Sequence, residues 1–172
     1  MGSGILWGVQ FEEFSREQLP GLVRFAAVLT GDRELAQDVV QDALVRAHRA
    51  WRQVAAADRP ELYLRKMVVN GYLGWRRRWY QRSVHPTPDV ALLREPTAPD
   101  PARRIADADQ LSGLLARLSR AQRASIVLRF YEDRDDDEIA AVLGCATGTV
   151  RSHISRGLSS LRLGIEEGKE SV

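Results

Sequence analysis

The stretch GTVRSHISRGL (148–158) carries hydrogen-bond donors and cations and no acid. Thr149, Arg151, Ser152, Ser155 and Arg156 recur at helical spacing. Wound into a helix, Thr149, Ser152, Arg156 and Ser159 share one face, with Arg151 and Ser155 on its flanks. An arginine can donate two parallel hydrogen bonds to guanine, while Ser and Thr serve phosphates or base edges. This chemistry suits the major groove of DNA. A solvated helix in an ordinary bundle could show a similar face, but the lack of acid favours the groove. His153 flanks that face and reads as a phosphate neighbour or a solvated side chain, since no second metal ligand is spaced with it.

A second donor set lies in ELYLRKMVVNGYLGWRRRWYQR (61–82), with six Lys/Arg against one acid. Lys66, Asn70, Leu73 and Arg77 fall on one helical face. Arg76 and Arg78 lie further round, and Tyr80 closes the end. Lys and Arg can follow phosphates, Asn can pair with a base edge, and aromatics can stack on unpaired bases. That mixture suits DNA being opened. A solvated basic helix with Trp75 and Trp79 in the core explains the segment equally well.

Other chemistries find little support. The chain shows no paired nucleophile and base, no metal-ligand spacing and no phosphate loop, which argues against an enzyme. The acidic run EDRDDDE (132–138) lacks the glycine and closing Glu of a calcium loop. It is expected to cap a helix and to repel non-specific DNA contacts. The single cysteine, Cys145, excludes an intrachain disulfide and reads as a small buried apolar residue. No apolar run reaches membrane-spanning length and no signal peptide is evident, so a cytoplasmic protein without membrane insertion is expected. Net charge is only +2, but two separated basic surfaces suggest two contacts with a polyanion.

The elements that must hold these residues are helical throughout: an all-α chain of two small domains. The segment 85–101 holds five of the seven prolines and reads as an extended linker. It divides a helical bundle (8–82) from a helix-turn-helix domain (103–165), with 83–102 as linker. The first bundle reads as helices near 11–29, with Pro20 a candidate break, then 33–52 and 60–82. Asp32 is the expected cap of the second, and Pro60 opens the third. The second domain reads as helices near 103–117, 120–131, 136–143 and 147–164, with Asp135 and Thr147 as caps. Ala140 permits close approach, Gly144 supplies a positive-φ turn, and Val150 closes the core. Val150, Ile154, Leu158, Leu161 and Ile165 form the expected apolar stripe of the last helix.

In this order, the parts resemble the extracytoplasmic-function sigma factors of bacterial RNA polymerase. GDRELAQDVVQDALVRAHRAW (31–51) is similar to the family's helix that docks on the clamp of the large catalytic subunit. ELYLRKMVVNGYLGWRRR (61–78) looks like its minus-ten helix, and 118–162 like its minus-thirty-five reading domain. The resemblance implies a sigma factor that binds core RNA polymerase and directs initiation at specific promoters. It implies polymerase contacts at Gln41, Asp42, Val45 and Arg49, and a base contact at Asn70. Lys66, Arg76 and Arg77 would hold backbone, and the loop 53–59 would shape a pocket for a flipped base. Thr149, Arg151, Ser152, Ser155 and Arg156 would meet the minus-thirty-five element. Gly74 departs from a commonly polar position, and His153 from a usually basic one. The family also implies an anti-sigma partner. No cofactor is expected. A stand-alone helix-turn-helix regulator is the competing reading, and it would bind its operator tightly without polymerase.

Overall fold

The computed structural model describes residues 3–82 and 111–170, with side chains described for 10–74 and 111–166. The expected linker 83–102 therefore lies outside the described residues, as does the start of the helix expected from 103. All regular elements among the described residues are helical: α1 (Ser3–Thr30), α2 (Arg33–Arg49), α3 (Trp51–Ala55) and α4 (Pro60–Arg82). Then come α5 (helical residues 111–116), α6 (Arg120–Ile126), α7 (Asp136–Leu143) and α8 (Thr147–Glu170).

Helix α1 runs unbroken through Pro20. The proline is exposed, so the carbonyl one turn earlier that loses its donor can turn to water. Asp32 caps α2 as expected, its carboxylate accepting the Leu35 N–H at 2.8 Å. The expected helix 33–52 is interrupted at Ala50 and resumes as the short α3. Phe11 and Phe14 pack on Trp51 with ring centroids 5.3 and 5.1 Å away, closing this end of the bundle. Leu22, Phe25, Leu29, Val39, Val40, Leu64 and Val68 fill its centre. Trp75 and Trp79, expected in that core, have side chains outside the described set.

In the second half, Ser119 caps α6 with a reciprocal Gln122 bond. The helix expected to run to 131 instead widens after Ile126. The Glu132 N–H reaches the Val127 carbonyl, five residues back, at 3.2 Å. Asp135 and Glu138 form a full capping box on α7. Gly144 ends α7 at φ 66°, a conformation that costs glycine nothing. Thr147 is the first residue of α8 rather than its cap, and the Ala146 carbonyl accepts from Val150. Gly157 lets α8 cross α6 closely, since a Cβ there would lie 2.5 Å from Ile126 Cδ1. The apolar stripe of α8 is buried at Val150 and half-buried at Ile154, Leu158 and Leu161, but Ile165 is exposed. The covered face at that level is Gly164 instead, buried against Leu114 and Arg117. Cys145 is half-buried against the core rather than fully enclosed.

The two halves are not held apart. One apolar cluster continues from Phe25, Leu64 and Val68 into Val127, Leu128, Ile139 and Val150. Polar links follow the same seam. Arg65 of α4 pairs with Glu132, and Arg59 with Glu138. Arg120 donates to the Tyr72 carbonyl at 2.7 Å, and Arg123 to the Val28 carbonyl at 3.0 Å. Burial pushes the Arg123 guanidinium below the usual arginine value, which nearby Tyr72 partly offsets. Burial likewise pushes the Tyr72 phenol up, against the pull of Arg123 and Arg120.

Candidate nucleic-acid interface

Helix α8 presents Thr149, Arg151, Ser152, Ser155 and Arg156 to solvent, all exposed. This follows from Val150 being fully buried: it pins the register of α8, and the polar residues around it must face out. The hydroxyl of Ser152 donates to the Gly148 carbonyl at 3.0 Å, and that of Ser159 to the Ser155 carbonyl at 3.0 Å. Each hydroxyl keeps its lone pairs available to a donor. No acid of α8 approaches this face before Glu166. His153 is half-buried beside it, and no group of three metal-ligating side chains occurs among the described residues.

Arg151 does not stand alone. Its Nε donates to Asp136 Oδ2 at 2.8 Å, and Asp136 Oδ1 also accepts from Arg129. The acidic run 132–138 is thus largely spent on partners. Glu132 meets Arg65 and Arg134, Asp135 caps α7, Asp136 meets two arginines, and Glu138 meets Arg59 and Arg134. Capping was legible in the sequence. The pairs with Arg59 and Arg65 were not, because those arginines lie over sixty residues away in the chain. Arg65, counted with the basic surface, faces the other half instead.

On α4, Asn70 is exposed and Lys66 half-buried, a turn apart on one side. Arg76 and Arg77 continue the same helix, with side chains outside the described set. The segment expected as loop 53–59 is helical up to Ala55. Its last residue, Arg59, is tied to Glu61 at 3.0 Å and to Glu138 across the seam. Burial would raise the Glu61 carboxyl, but its own backbone N–H, the Arg59 hydrogen bond and the Arg59 and Arg134 charges hold it below the usual value.

On α2, Gln41, Val45 and Arg49 are exposed and Asp42 is half-buried, together forming one outward ridge. Val45 is 50% exposed, on the side of α2 opposite the buried Ala43 and Ala47. Arg46, absent from the sequence candidates, holds this ridge to α4. Its Nη2 donates to the Met67 carbonyl at 2.9 Å and lies 3.5 Å from Asp42.

The geometry is that of a helical protein with a donor-rich recognition helix, a basic second helix and an apolar-centred ridge. Comparison with known proteins gives the class a family. Residues 15–82 match the family model "Sigma-70 region 2", and residues 108–161 match "Sigma-70, region 4". The chain is 34% identical to the RNA polymerase sigma-E factor of Streptomyces avermitilis over 158 residues, covering 92% of this chain and 86% of that one. It is 33% identical to the ECF RNA polymerase sigma factor SigL of Mycobacterium tuberculosis over 147 residues, covering 85% and 83%. Its fold matches the sigma factor RpoE of Bartonella quintana, solved with the anti-sigma factor NepR, at TM-score 0.70 and 24% identity over 91% and 97% of the chains.

The chain belongs to the sigma-70 family, as an extracytoplasmic-function sigma factor, and its function is the family's: promoter-specific initiation of transcription.

Proposed function

We propose that this chain docks on core RNA polymerase through the α2 ridge, grips the minus-thirty-five duplex with α8, and captures minus-ten bases with α4. Gln41, Asp42, Val45 and Arg49 are the polymerase contacts. Thr149, Arg151, Ser152, Ser155 and Arg156 meet the upstream element. Lys66, Arg76 and Arg77 hold phosphates near Asn70, which reads a base. The observation that carries this reading is the exposed donor face of α8, on a chain matching both sigma regions in order.

No covalent chemistry is required. Extruding a base costs a few kcal/mol, and stacking it on a protein returns about 1–3 kcal/mol. Melting is therefore a near-balanced exchange, tipped by selective capture of the single strand. Each unit alone buries a modest surface, so tethering both to polymerase supplies the effective concentration. This dependence on polymerase separates the sigma reading from a stand-alone regulator. The site of action is the cytoplasm, and a partner of the anti-sigma kind, covering the two DNA faces, is the expected repressor.

The packed arrangement has a mechanical consequence. The two promoter elements are named for positions roughly 25 base pairs apart, about 85 Å of duplex. A compact chain of this length has a radius of gyration of about 16 Å. Reading both elements at once requires the seam of Arg65, Arg59, Arg120 and Arg123 to part.

In vitro transcription with core polymerase and a promoter library, with and without the chain, tests the reading. Initiation should depend on the chain. Arg156→Ala should weaken use of upstream-element promoters with polymerase binding intact, while Asn70→Ala should impair opening more than closed-complex formation. Initiation that ignores the chain would refute the proposal.

A further inference from the structure

Arg151 is the most elaborately held of the recognition-helix side chains. Asp136, on the first turn of α7, accepts Arg151 Nε at 2.8 Å through Oδ2. Its other oxygen accepts from Arg129, which comes from the widened turn after α6. One carboxylate thus joins three elements. Asp136 and Arg129 are themselves largely shielded, with side-chain exposures of 24% and 28%, whereas Arg151 is 71% exposed. The anchor is set in the protein and the anchored guanidinium points outward.

We infer that Asp136 is a positioning residue for sequence readout: it orients Arg151 so that the outer nitrogens of the guanidinium meet a base edge. The inference rests on the reading of α8 as the upstream-element helix. With Nε engaged, the two Nη groups remain to donate in parallel, the geometry by which arginine reads guanine. An unheld arginine has many rotamers and finds phosphates as readily as bases. Holding it converts a general cation into a directional donor. Arg129 matters because it supplies the opposing charge that keeps the carboxylate in place. The carboxylate also subtracts from the positive field at the groove, so it costs general affinity while adding selectivity.

These opposed effects separate positioning from a structural role. The test is pooled transcription by Streptomyces core polymerase from templates randomised over the minus-thirty-five element, with the downstream element constant. Competition among templates in one reaction cancels any change in the active fraction of protein. Asp136→Ala should flatten the base preference at one upstream position by about fivefold, the low end of what a good bidentate pair discriminates. Retention on non-specific duplex should stay equal or rise. Asp136→Asn, which keeps an acceptor oxygen for Nε, should recover part of the preference. Arg151→Ala should abolish the preference at the same position, and Asp136→Ala added to it should change no base preference further.

The failures are distinguishable. If Arg151→Ala leaves every upstream preference intact, the assignment of Arg151 as a reader falls, and the inference with it. If Arg151→Ala flattens a position that Asp136→Ala does not, positioning alone is overturned. If Asp136→Ala raises binding to all templates with preferences unchanged, the carboxylate only masks charge, and positioning is again overturned.

Discussion

Removing the Arg65 side chain should separate the two halves of the chain while leaving each folded. Arg65 and Glu132 have side-chain exposures of 11% and 9%, far lower than the 46% and 18% of the parallel Arg59–Glu138 pair. Deleting one partner of a buried pair costs about 3–5 kcal/mol, because the other charge stays buried without compensation. Glu132 retains Arg134 at 3.7 Å, which places the loss near the lower end, about 3 kcal/mol. The pair bridges α4 and the turn before α7, so most of the loss falls on the seam, with a smaller part at the Phe25 ring of the first unit, 6.0 Å from the guanidinium. About 3 kcal/mol shifts a closed-to-open equilibrium roughly a hundredfold. Small-angle scattering should give a radius of gyration near 16 Å for the parent chain and a clearly larger value for Arg65→Ala. Calorimetry should show one unfolding transition in the parent and two in the variant. Glu132→Gln, acting from the other side of the seam, should give the same expansion. Helical content by circular dichroism should stay constant, since the Arg65 contact within α4 is a single 3.3 Å bond to the Glu61 carbonyl. Unchanged scattering and one unchanged transition in both variants would refute the view that this pair closes the seam.

Asp32→Ala removes the bond to the Leu35 N–H and should lower stability by about 1 kcal/mol, read as a drop in melting temperature without loss of transcription. Asp133 holds φ 52° without being glycine, so Asp133→Gly should raise stability by about 1 kcal/mol in chemical denaturation. Val45→Glu places a charge at the centre of the α2 ridge and should weaken capture by immobilised core polymerase at least about tenfold, with the melting temperature unchanged. Gly157→Leu should lower stability by about 1–3 kcal/mol, because even a Cβ meets Ile126 Cδ1 at 2.5 Å and the larger side chain must displace it; a drop in melting temperature is the readout.

What the sequence determined by itself was local. Asp32, Asp135, Pro60 and Gly144 act within a few residues of where they stand, so helix ends could be read directly. Helical period then assigned Val150 inward and Thr149, Ser152 and Arg156 outward, because a buried apolar stripe sets what its opposite face must be. Other features depended on residues distant in the chain. Pro20 left α1 unbroken because its exposed position tolerates a missing hydrogen bond. The acidic run read as a helix cap and a repellent patch; Asp135 caps α7, but Glu132, Asp136 and Glu138 met arginines of α4, α8, the loop before α4 and the turn after α6. Helical spacing names a face but not what covers it. The joining of two helical units into one seam, and the clamp on Arg151, emerged only when tertiary packing brought opposite charges from separate elements within hydrogen-bonding reach.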